Sequence, residues 1–167
     1  MKATHIVYTS LTGFTARYAA ILAEKTGLPT LPLAEALASL PKGTPIIYMG
    51  WLMAGAVKDC KKAAKHFAIR AVIGVGLGDT GAQDDAARKA CCLPAEVPVF
   101  TVQGGMDHAK LQGGYKVGID ILTKVMAAKK NRTPGEDRMV TLLQKGGDYV
   151  SEKELAAVLR WYNTASN

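Results

Sequence analysis

Aromatic residues are scarce in this chain, at 7% of the sequence, and cysteine occurs only three times, as Cys60, Cys91 and Cys92. No CxxC pair occurs and no histidine stands at ligand spacing from a cysteine, which excludes the common zinc and dithiol redox motifs. The adjacent Cys91-Cys92 pair could form a strained disulfide, but buried free thiols on a helix are the expectation. No apolar run approaches the roughly 20 residues that a bilayer-spanning helix needs. Met1-Lys2 leads straight into an apolar stretch without a signal-peptide pattern, so a cytoplasmic protein is expected. Internal repeats, low-complexity tracts and linkers are also lacking, and the 167 residues are read as one domain, 1–167.

What is present is ordinary apolar content, 49%, and an excess of positive charge, formally +7 with a pI near 9.4. The basic residues are spread along the chain, with one local cluster at Lys124, Lys129, Lys130 and Arg132. No nucleic-acid motif and no aromatic-rich strand accompanies it, so nucleic acid is not an expected partner and a solvated helix end is. Of the histidines, His5 falls in a strand, His66 near a helix end and His108 in a loop, where alone it could meet a ligand.

Periodicity alternates between short apolar runs and helical stretches. Strands are expected at 6–9, 30–33, 45–49, 71–75 and 97–102, the second bounded by Pro29 and Pro32 and so placed at an edge. Helices are expected at 14–25, stopped by Gly27, and at 34–40, 57–67, 81–92 and 115–130. Thr133-Pro134-Gly135-Glu136 opens a further helix through Gln144, which Gly146-Gly147 stops. Capping-box spacings at Thr80/Gln83 and Ser151/Glu154 predict two more helix starts. Four continuously apolar strands separated by helices imply an α/β, three-layer, doubly wound five-stranded parallel sheet of order 2-1-3-4-5.

Such sheets bind ligands beyond the carboxyl ends of their strands. Here those exits are rich in glycine and hydroxyls, at 9–15, 50–55, 76–81 and 103–107. Ser10-Leu11-Thr12-Gly13-Phe14-Thr15 suits a phosphate, because Gly13 admits close backbone approach, a helix N-terminus presents unpaired N–H groups, and hydroxyls can donate. An ordinary helix cap is the competing reading. Gly76-Leu77-Gly78-Asp79-Thr80-Gly81 satisfies GxGxxG but follows the fourth strand, whereas the dinucleotide fingerprint belongs at the first. The first strand is followed by Thr9 and Ser10 instead of metal-holding acids, and no Walker lysine follows Gly13; neither a receiver nor a P-loop NTPase fits.

Ser10 to Thr15 resembles the S/T-x-T-G-x-T phosphate loop of flavodoxins. Gly50 to Gly55, Gly104-Gly105-Met106-Asp107, Lys110-Leu111 and Gly146-Gly147-Asp148 resemble the small flavodoxin-domain proteins, a subgroup that includes menaquinone-dependent protoporphyrinogen dehydrogenases. The likeness covers nearly the whole chain and implies FMN as cofactor. It implies that Ser10, Thr12, Gly13 and Thr15 bind the phosphate, with Leu11 and Phe14 supplying backbone N–H groups. Arg17 could screen the dianion or face solvent. Trp51, Leu52, Met53, Ala54 and Gly55 would flank the isoalloxazine, while Gly76, Leu77, Gly78, Asp79, Gly104, Gly105, Met106 and Asp107 would line its other edge. Subgroup members often have Gly at the place of Trp51 and an aromatic at that of Met53, so Trp51 is equally a packing residue. Electron-carrier flavodoxins are acidic, whereas this chain is basic. The resemblance and the departures from it fit three functions: an FMN-binding electron-transfer protein working with a redox partner protein, a quinone-dependent oxidoreductase taking a porphyrinogen-like substrate, or a flavodoxin-like module without flavin. Positive charge could also meet an anionic membrane surface.

Overall fold

The computed structural model describes residues 2–165. Five parallel strands form its centre: β1 (His5–Thr9), β2 (Thr30–Pro32), β3 (Pro45–Met53), β5 (Ala68–Gly76) and β6 (Val99–Gln103). Their order is β2-β1-β3-β5-β6, with the two-residue β4 (Ala56–Val57) added antiparallel to the end of β3. Taken as the five parallel strands alone, this is the doubly wound 2-1-3-4-5 order, a flavodoxin-like three-layer fold.

Strand side chains alternate between two cores, as the period of two requires. Val7, Ile46, Tyr48 and Val72 face α2 (Leu33–Ser39), α3 (Cys60–His66) and α4 (Asp84–Cys91). Ile6, Ile47, Met49 and Ile73 face the opposite side, against α1 (Phe14–Thr26) and α7 (Ala156–Ala165). Both faces are covered, which is why these strands read as continuous apolar runs. Cys60 and Cys91 are buried free thiols as expected, but Cys92 is exposed beyond the end of α4, in a left-handed conformation.

Two expected helix starts differ from those observed. Thr80 and Gln83 do not make a capping box; the Thr80 hydroxyl donates to Glu154 and accepts from the Gln103 N–H at 3.0 Å. The start of α4 is held instead by Asp84, whose carboxylate accepts from both the N–H and the hydroxyl of buried Thr101 at 2.7 Å. With Glu154 so engaged, Ser151 caps nothing, and a short 3-10 turn over Glu152–Leu155 precedes α7. The Thr133–Glu136 capping box is present as expected.

The larger departure lies between β6 and α7. The chain forms β7 (Gly105–Met106), a 3-10 turn over His108–Lys110, α5 (Gly113–Ala128), α6 (Pro134–Lys145) and β8 (Gly147–Asp148). β7 and β8 pair antiparallel, so the α5–α6 hairpin leaves and re-enters at one neck beside the sheet. A small third core of Met106, Leu111 and Leu143, with Leu77, Ile119, Met126 and Met139 around it, seats this insertion over the exit of β5. Gly105 is the tightest point of the neck. A Cβ there would stand 2.5 Å from the Phe14 ring and would collide with the Gly147 carbonyl oxygen. Gly105→Ala is therefore expected to destabilise the fold by about 2–3 kcal/mol through overpacking against backbone, read as a lower urea midpoint with an unchanged m-value.

Candidate functional site

The phosphate-type loop stands where the sequence predicted, between β1 and α1. Gly13 adopts φ 98°, a conformation that favours glycine, and opens α1 without a side-chain cap of its own. Ser10, three residues upstream, accepts from the N–H of Gly13 at 3.2 Å and of Ala16 at 3.4 Å. The capping reading is thus correct for its lone pairs, while its own hydroxyl proton stays free to donate outward. Thr15 is buried behind the loop, and Leu11 projects into solvent.

Thr12, Gly13 and Phe14 form one wall of a cleft of about 470 Å³. The opposite wall is Met106, Asp107, His108, Ala109 and Lys110, and Lys145, Gly147 and Asp148 close it together with Arg17. The Lys110 ammonium lies 4.0 Å from where a Cβ on Gly13 would be, so it overhangs the α1 N-terminus. Arg17 donates to Asp148 at 2.5 Å, and Lys110 stands 3.4 Å from Asp107. Burial pushes the Asp148 carboxyl up, but the Arg17 guanidinium and the Val150 N–H outweigh it and hold the group below the usual aspartate range. Cations and helix-terminal N–H groups thus converge on one opening, with carboxylates already paired beside them. That arrangement can hold an anion.

The other expected site residues form separate groups. Segment 50–55 is not the strand exit that the sequence predicts: β3 runs on through Trp51, Leu52 and Met53, and a tight turn at Ala54 (φ 50°) and Gly55 (φ 76°) sends the chain back as β4. α3 accordingly starts at Cys60, later than the predicted 57. Gly55 leans on Ala86 of α4, and Leu52 lies over Gly74 and Gly76, where a Cβ would meet it at 3.0 and 2.8 Å. Trp51 stands edge-on to Tyr115 of α5, ring centroids 5.5 Å apart, with the Lys58 ammonium 6.0 Å from its centre. Gly76, Leu77, Gly78 and Asp79 pass beneath α6: Met139 approaches Gly78, Leu77 joins the third core, and Asp79 is clasped by Arg138. Gly104 donates its N–H to Gly76 at 2.7 Å, and Gly105 lies under the Phe14 ring.

Sequence reasoning missed Lys145, Tyr115 and Arg138, because they sit on a helical insertion whose placement no local pattern announces. Among the described residues, no group of three or more His, Cys, Asp or Glu side chains is arranged to hold a metal ion. No helix of the described residues is long and apolar enough to cross a membrane. No family model, no curated protein and no solved structure matches the chain.

The Asp79–Arg138 clasp sets a pH expectation. Arg138 donates through Nε to one Asp79 oxygen at 3.0 Å and through Nη2 to the other, which lowers the Asp79 pKa from its ordinary value. A depressed carboxylate contributes its stabilisation above the unfolded-state value, about 4, and loses it as pH falls through the lower folded value. Protection of the α6 amides, taken against the intrinsic exchange rate at each pH, is therefore expected to hold steady down to about pH 5 and to fall below about pH 4. Asp79→Asn should abolish that acid-dependent loss of protection.

Proposed function

We propose that this chain is an FMN-binding, flavodoxin-like redox protein that transfers electrons through its flavin. The observation that carries the reading is the α1 N-terminus: it opens at Gly13 with the Ser10 and Thr12 hydroxyls beside it and Arg17 and Lys110 over it. An FMN monophosphate is a dianion with acceptor oxygens only, and it matches this donor set. Bound there, flavin would supply the one- and two-electron chemistry that amino-acid side chains lack.

In this reading the Ser10 and Thr12 hydroxyls with the Leu11, Gly13 and Phe14 backbone hold the phosphate, buried Thr15 supports the loop from behind, and Arg17 and Lys110 balance the charge. Trp51 and Tyr115 offer the aromatic surface beside the isoalloxazine, whose edges would meet the segments at 52–55, 76–79 and 104–107. The chain's own task is to orient the ring and to exclude water from it, for which the α5–α6 hairpin stands at the right end of the sheet.

A quinone-dependent oxidoreductase acting on a porphyrinogen-like substrate is the second reading. It draws on Lys145 and His108, which line the same cleft beyond the phosphate loop and could meet substrate carboxylates. Turnover of a porphyrinogen with a menaquinone analogue would separate this reading from a carrier.

The direct test is a spectroscopic titration of the purified protein with FMN and with riboflavin. Saturable perturbation of the flavin spectrum is expected with FMN; none with FMN in excess would leave the chain a flavin-free module. Thr12→Ala should weaken FMN binding by about tenfold, the cost of one hydrogen bond to a charged group, and riboflavin binding hardly at all. Equal losses for the two ligands would remove Thr12 from the phosphate site.

A further inference from the structure

We propose that α5 is a membrane-surface helix, which lays its outward face into the headgroup boundary of an anionic bilayer. The proposal stands on the fold and does not depend on flavin binding.

α5 is built the wrong way round for a surface helix. At 100° per residue, Ile119, Thr123 and Met126 fall on the side that meets the insertion's small core, and the opposite side carries Val117, Ile121 and Val125 with Gly114, Gly118 and Ala128 between them. That outward arc contains no charged residue. Val117 and Ile121 are each 58% exposed and Val125 63%, with Leu122 exposed beside them, and no residue of α5 is fully buried. The helix packs mainly on α6, which leaves this arc without a partner among the described residues.

The surrounding chemistry specifies the partner. Lys124 borders the apolar arc, with Asp120 one step further round toward the packed side, and Lys130 follows the C-terminal end; neither lysine makes an ion pair among the described residues. Lysines of this kind can bury their stems and keep their ammonium groups at lipid phosphates. Of the large apolar side chains outside α5 that project into solvent, Leu11 follows β1, Met53 ends β3, and Tyr149 is tied through its N–H to Gly104 at the exit of β6, all at the carboxyl end of the central sheet. Exposed apolar surface is therefore concentrated at one end of a chain of net charge +7, which suits contact with an extended anionic plane.

A second copy of the chain fits less well. Two molecules of charge +7 repel, and one 16-residue helix about 24 Å long offers a face well short of the roughly 800 Å² per partner of a stable complex. A protein groove would select Trp, Tyr or Arg anchors, and the outward ridge is aliphatic.

Full-length protein is tested by co-sedimentation with vesicles of phosphatidylcholine alone and of equimolar phosphatidylcholine and phosphatidylglycerol. Binding to the anionic vesicles is expected to exceed binding to the neutral ones by at least about tenfold and to weaken with added salt. Replacing Val117, Ile121 and Val125 together by Gln should reduce anionic-vesicle binding by about tenfold while the circular dichroism stays unchanged, since all three are exposed. Lys124→Glu with Lys130→Glu, a change that leaves the apolar face intact, should also reduce binding and flatten its salt dependence. Absence of binding to anionic vesicles, or equal binding by the Gln variant, would overturn the proposal. So would a concentration-dependent dimer that the Gln variant abolishes, which would assign the face to a second copy.

Discussion

The backbone contact at Gly105 is the constraint on which the arrangement of this molecule turns. The chain leaves the sheet at β6, and it must return to the same place to supply α7 for the layer beside α1. It does so by pairing Gly105 with Asp148 and Met106 with Gly147, directly under the Phe14 ring. Only hydrogen fits at the Cα of Gly105, so the neck can close flush against α1. Gly104 extends the closure, giving its N–H to the Gly76 carbonyl and its own carbonyl to the Tyr149 N–H at 2.9 Å. Tyr18 of α1 completes it by donating to the Gln103 carbonyl, and burial pushes its hydroxyl pKa up to about 12, which keeps that proton in place. Because exit and return share one point, the α5–α6 hairpin can be added without displacing a strand.

The same closure assembles the cleft. β8 brings Asp148 to Arg17, and the turn after β7 brings Lys110 over Gly13, so residues far apart in sequence meet at the α1 N-terminus. Arg17–Asp148 and Lys110–Asp107 are both substantially exposed pairs. Pairs of that kind contribute little stability, so an incoming anion loses little by competing for their cations. The arrangement is held by backbone pairing and buried hydrogen bonds, and the charges are available for a ligand. Buried Tyr48 works similarly one strand away. It donates to the Lys58 carbonyl at 2.7 Å and bonds the Thr9 hydroxyl at 2.9 Å, which fixes the turn below the β3–β4 hairpin against the start of the loop.

The apolar character of α5 shows how far composition and placement can part. Its sequence, with Val117, Ile121, Leu122 and Val125 at helical spacing, reads as the stripe of a helix packed on a sheet. In the structure the side that packs is the one with Ile119, Thr123 and Met126, and the stripe faces out. A period identifies a helix and its apolar side; it carries no information about which neighbour that side meets.

By itself the sequence determined the layered α/β class, the strand order, the boundaries of α1 and α6 to within about a residue, and the loop at Ser10 to Thr15. Each rests on local physics: continuous apolar runs for strands covered on both faces, Gly27 for a helix stop, Thr133 and Glu136 for a helix start, and Gly13 for a positive φ. Only the tertiary structure decided that residues 50–53 continue a strand and turn back at 54–55, because Ala54-Gly55 lacks the Asn-Gly or Asp-Gly signature of a two-residue hairpin. It alone decided that Glu154 serves Thr80 across 74 residues and not Ser151 nearby, since spacing cannot show that a closer partner is already outbid. The gathering of Arg17, Lys110, Lys145 and Asp148 around one helix terminus was likewise invisible in one dimension. Those four meet through two-residue strand pairing at the neck, which is too short to leave a periodic signal and is set by the close fit of Gly105 against Phe14.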